Sequence, residues 1–357
     1  MLSDFVLPLG VTKESESECG LFEYSVVTLR ISTKPFIQPL KRFQSSEVKM
    51  KIAAFNAKNL GTKKVTDKVV VQRLTEIMSR YSVVVILEVM DKSGKAMEKL
   101  LKELNNNSSN KNRPYSMKAS GQLGRDTYKE RFVCFYREAD VTLKDFYQYE
   151  DNQVGDLDAF AREPFILRFS CPSTVVKDLV LIPVHTKPED SLKELDELHD
   201  VVDYIRKKWG TDNIMILGDF NADGRYLSKK KKDKIRITSA PYRWLIADDV
   251  DTTSSNCNDN TYDRIVVYGQ SMLDSIVPGS AKAFNFQTEF KLTDEEALSI
   301  SDHYPVEVEL KTSRKPKAPG QRKTAQKKGA EKKETTRAKK KSGPSSDTPA
   351  KRRRANK

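Results

Sequence analysis

The amino-acid sequence predicts an α+β fold in which two β-sheets pack on each other and helices cover the outside. Three observations lead to this prediction. Segments typical of strands outnumber those typical of helices, the long helices fall early and mid-chain, and some strands are continuous apolar runs of the kind that is buried on both faces. The chain has 357 residues, enough for one large domain or two small ones.

Short apolar runs bounded by polar residues predict the strands. The clearest run is VVVIL at 83–87, whose lack of alternation indicates a strand covered by protein on both sides. The remaining predicted strands are 51–56, 131–137, 165–169, 179–184, 214–217, 263–268 and 304–310.

Apolar residues spaced three and four positions apart predict three helices. We expect Thr66 to cap the first helix, which would run to about Tyr81. The second is indicated by apolar residues from Met97 to Leu104, and the third is a long helix that ends near Trp209 and Gly210.

Charge divides the chain into a body and a tail. Residues 311–357 carry 19 lysines and arginines against 3 acids, which leaves residues 1–310 with a net charge of −3. The tail has no Val, Ile, Leu, Phe, Tyr or Trp, so it cannot build a core alone. Residues 1–49 show no sustained periodicity. We therefore predict an extension outside the fold over 1–49, a folded domain over 50–310 and a disordered basic tail over 311–357.

Several classes of protein are excluded. The chain has no apolar run of 18 residues, so we expect no transmembrane helix and no membrane partner. The first thirty residues lack the features of a secretory signal, and four scattered cysteines do not have zinc-site spacing. The basic clusters 339–341 and 351–354 resemble nuclear-import signals, which favours the nucleus. Secretion is the alternative if residues 1–49 are a misassigned N-terminus.

Polar side chains stand at the ends of six predicted strands. If the strands lie side by side, these groups converge at one edge, where oxygen ligands would suit a hard divalent cation and two of the three histidines would suit acid–base chemistry. The residues are Asn56, Glu88, His185, Asp219, Asn221, Asp263, Asp302 and His303.

Each of these motifs also has a purely structural explanation. A glutamate after a strand is usually a solvated strand end, and the Gly-Asp-x-Asn sequence at 218–221 is often only turn chemistry. His199 is expected on the surface of its helix. The lysine run Lys229–Lys232 is expected to be a charged loop that either contacts phosphate or is merely solvated. Their occurrence together favours a functional site.

Eight segments, in this order, resemble the deoxyribonuclease I family of the endonuclease/exonuclease/phosphatase superfamily over about residues 50–310. They are KIAAFN (51–56), LEV (87–89), LGRDTYKERF (123–132), REP (162–164), PVHTKP (183–188), GDFNAD (218–223), TYDRIVV (261–267) and SDHYPVEV (301–308). The REP, YKER and YDR sequences are specific to nucleases of the deoxyribonuclease I type. Phe165 and the basic tail favour a branch similar to deoxyribonuclease gamma. The resemblance implies a four-layer α/β/β/α sandwich.

The resemblance also implies a role for individual residues. Glu88 would be the main metal carboxylate, with Asn56, Asp219 and Asp302 around the same ion. His185 and His303 would be the catalytic pair. The implied supporting residues are Glu130 and Asp263, which orient these histidines, Asn221, which holds the scissile phosphate, Arg162, which contacts phosphate, and Tyr128 and Tyr262, which face DNA.

The implied activity is divalent-metal-dependent hydrolysis of DNA phosphodiester bonds with little sequence specificity, which leaves 5′-phosphate and 3′-hydroxyl ends. Mg²⁺ or Mn²⁺ would be the cofactor, and DNA, naked or within chromatin, would be the partner of a monomeric enzyme. Two alternatives are another phosphodiesterase of the superfamily and a non-catalytic protein that binds DNA or chromatin through the basic tail.

The sequence departs from the family pattern at several positions. The family's structural disulfide would use the position after Asn-Ala-Asp, which is Gly224 here, so Cys257 has no partner there. Lys58 and Met90 stand where pancreatic-type members place arginines. The resemblance also implies two structural Ca²⁺ sites, one through Asp151, Asp158 and Glu163 and a less well preserved one through Asp251 and Thr253.

Overall fold

The computed structural model describes residues 49–151 and 158–313. The predicted extension and basic tail, including both import-like clusters, lie outside the described residues apart from Lys49 and 311–313. The described part of the chain holds no helix that is both long and apolar enough to cross a membrane.

Twelve strands and eight helices make up the described chain. The strands are β1 Met50–Leu60, β2 Val83–Val89, β3 Tyr115–Ala119, β4 Arg131–Arg137, β5 Thr142–Gln148, β6 Phe165–Ser170, β7 Asp178–His185, β8 Ile214–Asp219, β9 Tyr242–Trp244, β10 Asp263–Tyr268, β11 Lys282–Ala283 and β12 Val306–Leu310. The helices are α1 Thr62–Thr66, α2 Lys68–Met78, α3 Lys95–Asn106, α4 Ser191–Trp209, α5 Lys229–Lys232, α6 Gly269–Asp274, α7 Phe286–Phe290 and α8 Asp294–Ile300.

The strands form two six-stranded sheets. The first has the order β11-β12-β1-β2-β4-β3 and the second the order β5-β6-β7-β8-β10-β9. Each sheet holds one parallel pair near its centre, β1 with β2 and β7 with β8, between antiparallel neighbours. Parallel strands end at the same edge of a sheet, so each pair brings two chain segments to one place.

Three apolar clusters define the layers. One joins inward-facing residues of both sheets, the second packs the first sheet on helices α1–α3 and α8, and the third packs the second sheet on α4. Along β1, Ile52 belongs to the central cluster and Ala53 to the outer one, so both faces are buried. This double burial explains the continuous apolar runs. The predicted four-layer α/β/β/α sandwich is confirmed.

The boundaries differ from the predictions where polar chemistry decides them. The cap of α2 is Asp67, whose carboxylate accepts the N–H groups of Val69 and Val70, and not Thr66. The lysine run is a turn of helix and not a loop, because Lys232 turns inward. Strand β5 was missed because it lies at a sheet edge and shows little burial, so it has no apolar run.

A buried carboxylate fastens β12 to its neighbours. Glu307 is 1% exposed; its Oε1 accepts the Lys51 ammonium at 2.9 Å and its Oε2 accepts the Tyr81 hydroxyl at 2.9 Å. Burial raises the pKa of Glu307, but Lys51 and Arg80 outweigh it and hold the pKa below its usual value.

We predict that Glu307→Gln makes the stability of the fold less dependent on acid pH. A carboxylate with a lowered folded pKa stabilises the fold above its unfolded pKa of about 4.3, and this contribution is lost as pH falls through the folded pKa. The free energy of unfolding should therefore fall by about 3 kcal/mol at pH 7 and change less on acidification. Denaturant titrations from pH 7 to 3 measure this, with the exposed Glu295→Gln as control. Parallel pH profiles for wild type and Glu307→Gln would contradict the prediction.

Candidate active site

The ends of the two parallel pairs border an open cleft of about 540 Å³. Strand β2 contributes Glu88, β7 contributes His185, and β8 contributes Asp219. The other residues that line the cleft are Pro188, Asn221, Arg225, Tyr226, Asn258, Asn260, Tyr262, Asp302 and His303. The strand-end residues that the sequence singled out are thus brought to one place.

Asn56 connects the two sheets beneath this cleft. Its Nδ2 donates to Glu88 Oε1 at 3.0 Å and to Asp219 Oδ2 at 3.1 Å, while its Oδ1 accepts the Lys58 N–H at 3.0 Å. The amide is fully buried. In this arrangement Asn56 holds the carboxylates by its nitrogen, and its oxygen is turned to the backbone.

The backbone around Glu88 is in an uncommon conformation. Glu88 has φ 52°, and Lys58 and Asn59 on the neighbouring strand have φ 37° and 51°. The pairing of β1 with β2 shifts register between Asn56 and Leu60, as in a β-bulge. This irregularity lets the Asn59 N–H reach Glu88 Oε2 at 3.0 Å. Backbone of this kind costs free energy and is concentrated at functional sites.

Each histidine is oriented by one carboxylate. His185 Nδ1 lies 2.6 Å from Glu130 Oε1, and the guanidinium of Arg162 lies 2.8 Å from the same oxygen. His303 Nδ1 lies 2.7 Å from Asp263 Oδ2. Because Nδ1 is engaged in both rings, Nε2 is the atom that each histidine presents to the cleft.

The two imidazoles converge on Asp219. The Nε2 atoms of His185 and His303 each lie 3.7 Å from Asp219 Oδ2. His185 Nε2 also lies 3.8 Å from Glu88 Oε1, and His303 Nε2 lies 3.9 Å from Asp302 Oδ1. Two nitrogens able to exchange protons therefore face one small space that is lined with carboxylate oxygen.

The environment favours the protonated form of both histidines. Burial lowers the pKa of His303, but Asp263 and Asp219 outweigh it and raise the pKa to about 10. Burial likewise lowers the pKa of His185, and Glu130 reverses the direction so that the pKa is raised. Burial raises the pKa of Asp263 to about 6, against the opposing effect of His303.

Asn221 lies in a left-handed turn directly after β8. Its φ is 46°, its backbone N–H donates to Asp219 Oδ1 at 3.0 Å, and its side chain donates to the Thr186 carbonyl at 3.0 Å. The buried Arg264 supports this turn by donating to the Ala222 carbonyl at 3.3 Å. The position of Asn221 is thus fixed by both neighbouring strands.

The other predicted substrate contacts lie around the cleft in different environments. Tyr128 is 42% exposed, and its hydroxyl donates to Asn59 Oδ1 at 3.1 Å. Tyr262 lines the cleft with its ring 6.3 Å from that of His303. Arg162 faces inward, toward Glu130 and the His185 carbonyl, which accepts at 3.3 Å.

Two lysines near the site were not predicted to act there. Lys58 Nζ lies 2.5 Å from Asp302 Oδ2. Lys64 Nζ donates to the Ala57 carbonyl at 3.0 Å and to the Ile300 carbonyl at 2.6 Å, which joins the bulge of β1 to the segment before Asp302. Burial lowers the pKa of Lys64 to about 8. No sequence signal distinguishes Lys64 from neighbouring exposed lysines.

The predicted calcium residues fall into two groups, of which the second adjoins His303 through a β-bridge at Thr253. Asp151 accepts the backbone N–H groups of Ala159 and Phe160, and its buried Oδ1 has no hydrogen-bond partner among the described residues. Asp158, however, forms an ion pair with Arg125, and the carbonyl of Glu163 accepts from Gln148.

In the second calcium group, Asp251 Oδ1 accepts both the N–H and the hydroxyl of Thr253, at 2.9 and 2.7 Å. These two residues border a separate polar cavity of about 480 Å³. The carboxylate is therefore already engaged by the threonine in its own turn.

A family model described as the endonuclease/exonuclease/phosphatase family matches residues 53–303. The chain belongs to the endonuclease/exonuclease/phosphatase family. It is also 42% identical to human deoxyribonuclease gamma over 75% of this chain and 88% of the relative. It is 45% identical to human deoxyribonuclease-1-like 1 over 74% of this chain and 85% of the relative. It is 43% identical to rabbit deoxyribonuclease-1 over 73% of this chain and 92% of the relative.

Within the family, the chain is a member of the deoxyribonuclease I group, as its motifs indicated. Identities of 42, 43 and 45% to the three kinds of relative are too similar to select one branch. A family protein from Leptotrichia buccalis is 15% identical with a TM-score of 0.52, over 73% of this chain and 99% of that one. The human Nocturnin catalytic domain is 12% identical with a TM-score of 0.50, over 74% and 95%. These two likenesses show the fold.

The turn at Gly224 differs from the disulfide-bonded pattern expected of the family. Cys257 is exposed and free. The turn is held instead by the Asp223 carboxylate, which accepts the Thr261 N–H at 2.8 Å. Gly224 has φ 57°, and a Cβ there would lie 2.7 Å from Asn260 Oδ1.

We predict that Asp263→Asn lowers the pKa of His303 from about 10, with Asp219 and Asp302 left to oppose the effect of burial. The neutral amide removes the nearest negative charge but leaves the burial that disfavours the imidazolium. Wild-type His303 should thus stay protonated at pH 8, and the variant should lose its proton at a lower pH than the wild type. NMR titration of the imidazoles without metal measures this, and His199 serves as an internal reference. An unchanged His303 titration would refute the role given to Asp263.

Proposed function

We propose that this protein is a divalent-metal-dependent endonuclease that hydrolyses phosphodiester bonds of DNA with little sequence specificity. The observation that carries the proposal is the convergence of two carboxylate-oriented imidazoles on one oxygen of Asp219, each at 3.7 Å. Its curated relatives of 42–45% identity are named deoxyribonucleases. The products would carry 5′-phosphate and 3′-hydroxyl ends.

The oxygen donors in the cleft suit a hard divalent cation. Glu88 Oε1 and Asp219 Oδ2 are held by the same Asn56 nitrogen, and Asp302 lies beside His303. Asp219, Asp263 and His303 also present ligand atoms within 4.8 Å of one another. Because Asp263 already binds His303, we propose that Glu88, Asp219 and Asp302 hold Mg²⁺ or Mn²⁺, with Asn56 positioning the carboxylates.

The bound ion would supply positive charge that stabilises the negative charge developing on the phosphate during hydrolysis. The remaining chemistry is assigned to the protein's own residues. Of His185 and His303, the ring that is neutral in the complex with DNA would take a proton from the attacking water. The ring that stays protonated would give its proton to the 3′ oxygen as the P–O bond breaks. Glu130 and Asp263 would keep each Nε2 directed at the reacting atoms.

The proposed substrate contacts all concern the DNA backbone. Asn221 would hold the scissile phosphate, and Tyr128 and Tyr262 would face the strand on either side of the histidines. Arg162 would contribute mainly through Glu130, with phosphate contact as its second role. Backbone contacts position DNA without reading its sequence, which accounts for the low specificity that we propose.

His185→Ala and His303→Ala should each reduce turnover by roughly 10²–10⁴, the usual contribution of one general acid or base. The measurement is nicking of supercoiled plasmid with Mg²⁺, with chelator as the blank. His185 ends β7 and His303 lies just before β12, so the fold should persist in both variants, as circular dichroism will check. Normal nicking by either variant would exclude the mechanism. Absence of nicking by the wild type, with hydrolysis of another phosphodiester, would favour a different phosphodiesterase.

Glu88→Gln should abolish cleavage at ordinary Mg²⁺ concentrations while DNA binding persists. The substitution keeps the shape of the side chain but removes a charge that a hard cation requires. Calorimetric Mg²⁺ titration should show weaker binding, and raised Mn²⁺ should restore part of the activity. Glu295→Gln, on the exposed face of α8, is the matched control. Wild-type Mg²⁺ affinity in Glu88→Gln would remove this carboxylate from the metal site.

We further propose structural Ca²⁺ at the Asp151 group. The support is the buried Asp151 Oδ1 without a partner among the described residues, whereas Asp251 is already satisfied by Thr253. Ca²⁺ should raise the melting temperature of the wild type, and Asp151→Asn should abolish that increase. An equal increase in both proteins would exclude Asp151 as a ligand.

We propose that the basic tail contacts DNA or chromatin without reading its sequence. We also propose that the tail directs the enzyme to the nucleus and that the enzyme is a monomer. The tail's 19 cations and lack of aromatic residues suit phosphate and not base stacking. Deleting 311–357 should flatten the plot of log affinity against log salt by about 0.9 for each phosphate that the tail neutralises. The deletion should also redistribute a fluorescent fusion out of the nucleus. Superimposable salt plots would mean that the tail does not touch DNA.

A further inference from the structure

We propose that Arg225, Lys229, Lys230 and Lys231 form a second phosphate-binding surface beside the cleft, called here the basic arm. Its partner would be the backbone of duplex DNA beyond the scissile phosphate. The inference rests on the proposed function, because it assigns a longer stretch of the same DNA to the same cleft.

Arg225 is a cation built into the wall of the cleft. Its Nη2 donates to the Tyr226 hydroxyl at 2.8 Å, and the guanidinium carbon lies 4.9 Å from the centre of the same ring. The Tyr226 ring lies 5.5 Å from that of Tyr262, which lies 6.3 Å from that of His303. A continuous series of side chains thus connects Arg225 to the reacting centre.

Two other cations at the site are paired with acids. Lys58 forms an ion pair with Asp302, and Arg162 forms one with Glu130. Among the described residues, no carboxylate forms an ion pair with Arg225. Its guanidinium therefore remains available for a phosphate, which it can bind through two parallel N–H groups.

Helix α5 supplies the other three cations in a fixed orientation. Its fourth lysine, Lys232, is buried, forms an ion pair with Asp248 and lies 4.4 Å from the centre of the Trp244 ring. Leu227 and Ile235 on either side are also buried. Because Leu227, Lys232 and Ile235 are buried, the helix is held in one orientation. In that orientation the side chains of Lys229–Lys231 are exposed to solvent. In the described part of the chain, none of the three forms an ion pair with an acid.

The four cations of the arm are close enough together to contact one duplex. Lys229–Lys231 follow Arg225 by four to six residues, a span of at most roughly 14–20 Å. Duplex DNA carries one negative charge per about 1.7 Å of its axis, so several phosphates fall within that span. The body of the protein has a net charge of −3, which makes such a local cationic surface conspicuous.

Full-length variants test the arm. Arg225→Gln and the triple variant Lys229→Gln/Lys230→Gln/Lys231→Gln remove arm charges and leave Lys232 in place. The control is Lys95→Gln/Lys99→Gln/Lys102→Gln, which removes three exposed charges from α3, a helix that carries no residue of the cleft. Fluorescence anisotropy with a 30-base-pair duplex, in chelator to prevent cleavage, gives Kd across a salt series.

We expect both arm variants to bind several-fold more weakly at low salt. Their plots of log Kd against log salt should be flatter by about 0.9 for each phosphate that is no longer neutralised, and the control should match the wild type. Plots that superimpose on the control would overturn the proposal, and an acidic protein partner would then be the better occupant. Binding is measured without cleavage, so this result is independent of the plasmid-nicking test of the proposed function.

Discussion

The active site depends on one buried amide that joins the two sheets. Asn56 on β1 donates from a single nitrogen to Glu88 on the same sheet and to Asp219 on the other. Two carboxylates about 4 Å apart would repel each other by about 4 kcal/mol at the effective dielectric of a protein surface. A shared donor offsets part of that repulsion. The amide cannot reverse without losing the Lys58 N–H, so its orientation is set by the backbone.

The irregular backbone of β1 and β2 serves this interaction. In a regular ladder Asn56 pairs with Leu87, and the next residue, Glu88, would point to the opposite face of the sheet. The register shift after Asn56 instead lets the Glu88 side chain meet Asn56 at the sheet edge. Lys64 and Ser301 stabilise the irregular segment, since Lys64 binds the Ala57 carbonyl and the Ser301 hydroxyl donates to the Asn56 carbonyl at 2.6 Å. The β1 segment beside Glu88, which contains the left-handed Lys58 and Asn59, is thus held by groups from a helix and from a residue distant in sequence.

Much of the sandwich could be predicted from sequence, because strands buried on both faces leave apolar runs. The segment 131–137 was predicted as β4 with the observed bounds, and 263–268 as β10. The convergence of polar strand ends on one cleft also followed from sheet geometry. Arg225 and Lys64 could not be found in this way, because their positions depend on a turn and a bulge that leave no periodic signal. Lys232 was misplaced in a loop because burial of a lysine requires partners, here Asp248 and Trp244, that are distant in sequence.

The turn at Gly224 restricts how this chain can change. A left-handed residue with a side chain costs about 1–2 kcal/mol, and a Cβ at this position would lie 2.7 Å from Asn260 Oδ1. A cysteine there would require the Asn260 side chain to move. The Asp223–Thr261 hydrogen bond already holds the turn. A change of Gly224 to cysteine would therefore add strain without adding a needed cross-link. Because Asn260 occupies the space that a side chain at position 224 would need, Gly224→Cys alone would destabilise the turn before a disulfide could form.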